Sequence, residues 1–167
     1  MPGALNHSPA KIVRDLLVAN APNGLALGSD PESAGTWPVY YSRRTETEES
    51  TVAAADRTPD NTITVFDSAN ARDAGSTMTD GERQEHHGIQ IMVRSAKDGT
   101  GWAKARAIAV ALDAVKLTDG YRVTIGGSTY VIDCFDRTTD VISLGKEPNS
   151  NRRLFSINLV AMLWLAT

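Results

Sequence analysis

The stretch EHHGIQIMVRS, residues 85–95, decides how the rest of the chain is read. Ile89, Ile91 and Val93 alternate with Gln90, Met92 and Arg94. That period of two predicts a strand over 89–95 with one face in a core. His86 and His87 precede the run. Neighbouring strand residues point to opposite faces, so the pair is poorly arranged to share one metal ion. A zinc site needs three or four ligands, and His7 and Cys134 are the only other histidine and cysteine in the chain. The stretch therefore reads as a long loop feeding a core strand, and no metal site is expected.

C-terminal to this strand, Asp98-Gly99-Thr100-Gly101 turns the chain into a helix, with Thr100 as the expected cap. Trp102, Ala105, Ile108, Ala109, Leu112 and Val115 make its main apolar stripe. Ala103, Ala107, Val110, Ala111 and Ala114 cover much of the other side. A helix that is apolar nearly all round tends to be buried on more than one side. A sheet covers only one of them, so the second cover is another layer or another subunit.

Residues 121–125 and 128–136 flank Gly126-Gly127, a strong hairpin signal because both glycines accept the positive φ of a tight turn. A two-residue turn pairs Ile125 with Ser128, Thr124 with Thr129, Val123 with Tyr130 and Tyr121 with Ile132. Apolar then meets apolar and threonine meets threonine. Residues 137–151 read as a connection. The last strand, 153–165, carries Phe155, Ile157, Leu159, Ala161 and Leu163 on one face. Its other face starts polar and finishes with Val160, Met162 and Trp164. A strand end that is apolar on both faces is an aggregation hazard when left open, which is a second sign of a covered surface.

N-terminal to the opening stretch, Ser8-Pro9 starts a helix, serine as cap and proline at the first position. Ile12, Val13, Leu16 and Leu17 form its stripe, and Pro22, Asn23 and Gly24 end it. WPVYYS (37–42) and TITVFD (62–67) read as strands, the first with Pro38 at its start or edge. The stretches 43–60 and 68–85 are polar and long for a compact domain. The first holds Glu46, Glu48, Glu49, Asp56 and Asp60.

The whole, 167 residues, suits a single domain over 1–167. A net charge of −3 argues against a dedicated nucleic-acid binder. One cysteine excludes an intrachain disulfide and suits a reducing compartment. Neither a secretory leader nor a run long enough for a membrane helix is read from the sequence.

Catalytic candidates are weak. Cys134 alternates with Tyr130 and Ile132 in a strand, where a buried thiol is the ordinary state. Asp133, Asp136 and Asp140 form no pattern that sets a geometry. The glycine-rich pieces match neither the phosphate-loop pattern nor GxGxxG. No catalytic residue and no cofactor is expected. Arg94, Lys104 and Arg106 gather around the strand-to-helix joint as candidates for a charged contact with a partner subunit.

From Gly88 onward the elements GIQIMVRS, GWAKARAIAVALDAV, VTIGGSTYVI and RTTDVISLGKEPNSNRRLFSINLVAML follow one another in an order that resembles the tail terminator (tail completion) proteins of tailed bacteriophages, often called minor capsid proteins. SPAKIVRDLLVAN, WPVYYS and TITVFD extend the resemblance over most of the chain; 43–60 and 68–85 are its least similar parts. The resemblance implies a fold of class α+β: a mostly antiparallel sheet, two helices packed on one face, long loops. It implies a homo-oligomeric ring, usually a hexamer, at the head-proximal end of the tail tube in the virion. The ring stops tube polymerisation, joins the tail to the head–neck connector and lets genomic DNA pass through its lumen. The protein would be made in the host cytoplasm, and no membrane is involved.

Under this reading Arg94, Trp102, Arg106, Val160, Met162 and Trp164 are the candidates for subunit contacts. Glu46, Glu48 and Glu49 are candidates for the lumen or a docking loop. Two alternatives stand beside it. One is a head-completion or connector (neck) protein of the same particle. The other is a small hydrolase using Asp133, Asp136 or His87, which requires a pocket that joins the histidine to the acids.

Overall fold

Helix α1 (Pro9–Val18) starts where its cap chemistry puts it: the Ser8 hydroxyl accepts the Lys11 backbone N–H at 3.3 Å, and Pro9 occupies the first turn. One face of α1 buries Ala10, Ile12, Val13, Leu16 and Leu17. In the computed structural model the described residues are 5–33, 35–42, 60–68, 76–77, 83–115, 120–148 and 150–166.

The strands follow as β1 (Val39–Tyr41), β2 (Thr62–Ser68), β3 (Ser76–Thr77) and β4 (Arg83–Ser95). Helix α2 (Asp98–Val115) comes next, then β5 (Tyr121–Ile125), β6 (Ser128–Arg137), β7 (Ile142–Lys146) and β8 (Arg153–Leu165). The sheet order is β1-β2-β4-β8-β6-β5, with β3 on β4 and β7 on β8. β1 pairs with β2 in parallel; the other pairs are antiparallel. The chain is thus α+β with the sheet dominating, as expected.

The β5–β6 hairpin has the register that its sequence predicts: Ile125 opposite Ser128, Thr124 opposite Thr129, Val123 opposite Tyr130, Tyr121 opposite Ile132. Gly126 and Gly127 take φ of 56° and 84°, and the Thr124 and Thr129 hydroxyls meet at 3.0 Å.

Residues directly opposed across a sheet share a face. One face therefore carries Ile63, Val65, Ile89, Ile91, Val93, Phe155, Ile157 and Leu159, all buried. Both helices lie on it. The Ala10 backbone N–H donates to Asp67 Oδ1 at 2.8 Å, and His7 Nδ1 lies 2.7 Å from the Tyr130 hydroxyl. On the α2 side, Trp102 sits edge-on to Phe155, ring centroids 6.0 Å apart. Helix α1 touches β1 and β2 at one end of the sheet and β5 at the other, so the sheet curls around it. The β1 edge is capped at Val39: the Val39 N–H donates to the Ser29 carbonyl at 2.9 Å, and the Val39 carbonyl accepts Arg14 Nε at 3.0 Å. Such capping blunts an edge against stray strand pairing.

Three boundaries differ from the sequence reading. Helix α2 begins at Asp98, so Thr100 lies in its first turn and is not the cap. Strand β4 reaches back to Arg83 and pairs with β3, so part of the 68–85 stretch is strand. Within 137–151, β7 forms on β8 just beyond the end of β6. A short segment becomes a strand when a long neighbour offers it free backbone partners.

Candidate interaction surface

Arg94 does not stand on the surface. It is 3% exposed, and its Nε lies 3.5 Å from Oε2 of Glu147, itself 7% exposed. The turn after β7 holds that acid. Ser150 Oγ donates to Glu147 Oε2 at 2.7 Å, and the Glu147 N–H donates to the Arg152 carbonyl at 2.9 Å. Arg152 in turn donates to Asp60 at 2.9 Å. Arg94 thus belongs to an internal ion pair, a correction to its reading as a partner contact. Removing one member of such a pair costs about 3–5 kcal/mol, because the other is left buried and charged.

Val160, Met162 and Trp164 are half-buried on the sheet face turned away from the helices, opposite Gly88 and His86 on β4 and Asp136, Cys134 and Val131 on β6. Glu46, Glu48 and Glu49 lie outside the described residues.

Trp102 and Arg106 are open, and they belong to a larger surface. Five large apolar side chains stand exposed among the described residues: Tyr41 at 41%, Trp102 at 41%, Val110 at 58%, Ile142 at 39% and Leu144 at 48%. Four of the five lie on α2 and β7. Trp102, Arg106 and Val110, spaced four apart, form one ridge of the helix. Arg106 Nη1 donates to Asp140 Oδ1 at 2.9 Å, just ahead of β7. Ser143 on β7 pairs with Phe155, against which Trp102 packs. The ridge and Asp140, just ahead of β7, therefore adjoin as one flank, while Ile142, opposite Ser156 in line with Met92, faces away from the helices. Ile142 and Leu144 were missed in the sequence because VISLGK is short and carries a glycine. Its alternation of Val141, buried at 7%, with exposed Ile142 was the available signal.

The charges around the flank are paired. Arg137 clamps Asp113 of α2 with two bonds of 2.8 and 2.7 Å and reaches Asp140 at 3.2 Å. The Asp113 bonds raise the Arg137 guanidinium further above its ordinary value. Asp140 is held below the ordinary carboxylate value, first by the Val141 N–H and then by Arg106 and Arg137. On the far side of α2, Lys104 lies 5.5 Å from the Trp37 ring, and burial lowers its pKa. An apolar centre inside a rim of ion pairs is the make-up of an association surface.

The hydrolase candidates do not converge. His87 faces the helices beside Ala161, whereas Asp136, opposite Val160, faces the other way. Asp133 lies in the irregularity between Ile132 and Cys134. Cys134 Sγ sits 3.3 Å from Met162 Sδ. Among the described residues, no three or more His, Cys, Asp or Glu side chains gather in a way that suits a metal ion.

The chain matches no protein-family model and no curated protein sequence. Among solved structures it is similar to a chain from the virion of a native gene transfer agent particle, with a TM-score of 0.42 and 17% identity over 75% of this chain and 78% of that one.

Proposed function

We propose that this chain is a structural subunit of a tailed-bacteriophage particle, and specifically a tail terminator. Copies associate into a ring, taken as six, at the head-proximal end of the tail tube. The ring prevents further tube subunits from adding and receives the head–neck connector on its other side. Genomic DNA passes through the lumen without sequence-specific contact. The chain acts by assembly and carries no catalysis of its own; His87 and Asp136 on opposite faces of the sheet support that part.

The observation that carries the association is the outer ridge of α2, where Trp102 and Val110 stand open with Arg106 between them. The place in the particle rests on the resemblance that begins at Gly88 and follows the elements in order.

Native mass spectrometry of the purified chain, alone and with purified tail tubes, tests the reading. The expected result is a closed ring, free or on the tube end. A chain that stays monomeric and never joins tubes would overturn it.

A further inference from the structure

The sheet face turned away from the helices carries a row of side chains that the assembly role does not use. Met162 of β8 stands directly opposite His86 of β4 on one side and Cys134 of β6 on the other. Opposed residues share a face, with Cβ atoms about 4.5–5.5 Å apart. The row therefore brings an imidazole, a thioether and a thiol together on three neighbouring strands. All three residues are half-buried. The irregularity in β6 between Ile132 and Cys134 is what turns the thiol this way. In a regular strand these two residues, two apart, would point to the same face, and Ile132 is buried toward the helices. A bulge re-aims the side chain that follows it.

The polar atoms of the row converge and are incompletely satisfied. The Cys134 thiol donates to Met162 Sδ at 3.3 Å, so the two sulfurs already face each other. His86 Nε2 is buried and has no hydrogen-bond partner among the described residues. A buried polar atom ordinarily finds a partner, and an exception asks for a cause such as an ion. Val160 and Trp164, two residues to either side of Met162, lie on the same face and are half-buried, so the surroundings are apolar.

The donor set selects the class of ion. Zinc wants three or four ligands from Cys, His, Asp and Glu, and among the described residues no three of these gather. The row reaches three donors only by counting the thioether. Thiolate and thioether are soft ligands that select copper(I), and imidazole suits copper as well. We propose that His86, Met162 and Cys134 form a site for a soft monovalent ion of the copper(I) class, held by Nε2, Sδ and Sγ. The ion takes the place of the Cys134 proton, which leaves to water, and no electron is transferred. Bound there, it ties β4, β8 and β6 together across the sheet. The site stands independently of ring assembly.

Copper(I), supplied anaerobically from a chromophoric chelator, tests the site on the full chain. The unmodified chain should take one ion, with sulfur and nitrogen neighbours in its X-ray absorption spectrum. Met162→Leu keeps the side-chain volume and removes the thioether; His86→Gln removes the imidazole. Each should weaken binding by at least about tenfold, the least that even an outer partner of a metal ligand contributes. Cys134→Ser should abolish binding, and circular dichroism checks that all three variants are folded. Silver(I), a redox-inert substitute, should raise the melting temperature of the unmodified chain and leave that of Cys134→Ser unchanged, because a ligand of the native state stabilises it. No uptake of copper(I) overturns the site. So does uptake that depends on Cys134 alone and is unchanged in either Met162→Leu or His86→Gln, since that is the behaviour of a simple surface thiol.

Discussion

The two helices rest on the same face of one sheet and differ in what they leave outside. Helix α1 buries a single stripe and turns Lys11, Arg14 and Asp15 outward, where Arg14 and Asp15 pair and Arg14 reaches Asp30. Its sequence is completed within one chain. Helix α2 buries Gly101, Ala105, Ile108, Ala109, Leu112 and Val115, yet also exposes Ala103, Ala107, Val110 and Ala114. Alanine is the best helix former, so an outward row of alanines is cheap in water. Val110 at 58% exposure and Trp102 at 41% are not explained that way. The difference separates a helix finished by its own sheet from one whose second face suits a neighbour.

The comparison breaks most readily in the core. Leu16→Ala in α1 should cost the monomer about 2–5 kcal/mol, the range for removing a fully buried leucine. Val110→Ala, on the outer side of α2, should change monomer stability by no more than about 0.5 kcal/mol. Urea unfolding of both variants checks the contrast; equal losses would mean that the outer face of α2 is already covered within one chain.

A smaller effect comes from two glycines of α2. A Cβ on Gly101 would lie 2.5 Å from Phe155 Cε2 and 2.8 Å from Ser95 Cβ. Overpacking of about 1–3 kcal/mol then outweighs the helix-propensity gain of at most about 1 kcal/mol, so Gly101→Ala should destabilise. At Gly99 a Cβ meets nothing within 4 Å. Gly99→Ala should be neutral or stabilise by up to about 1 kcal/mol, and thermal melts of the pair give opposite shifts.

Ser8→Ala removes the cap of α1 and should cost about 1 kcal/mol in the same assay. The smallest signal is electrostatic. Asp30, bonded to Arg14 beside α1, and Asp140, bonded to the Val141 N–H beside α2, both sit below the ordinary carboxylate value of 3.8. A depressed folded value means that each contribution to stability is present above 3.8 and is lost as pH falls through the lower folded value. Carboxyl chemical shifts followed by NMR should place both midpoints below 3.8. A midpoint at or above it for Asp140 would remove the ion pair that ties α2 to the start of β7.

Much of this arrangement was legible in local pattern. The stripe of α1, the alternation at 89–95 and the Gly126-Gly127 hairpin with its register are all set by neighbours in sequence, and all formed as read. The all-round apolar character of α2 was legible too, and with it part of the flank, through Trp102 and Arg106. What was missed depends on distant partners. Strand β7 forms because the first half of β8 is available beside it. Arg94 is buried because Glu147, far along the chain, is folded over it. The backward extension of β4 through polar Arg83, Gln84 and Glu85 follows from pairing with β3 and β8, which no local hydrophobic pattern announces.

The sequence by itself determined the helix faces, the hairpin register and the surplus of apolar surface, since each follows from the periodicity of one segment or from a turn's own glycines; the α+β class came from the resemblance. The tertiary structure alone decided that β1 and β7 end up as opposite edges of one strand row, that Val39 at one edge is held by Ser29 and Arg14, and that Ile142 faces away from the helix that carries Trp102. Those relations arise where segments far apart in the chain share a sheet, and the energy that places them lies in burial and pairing between segments, which no single stretch carries.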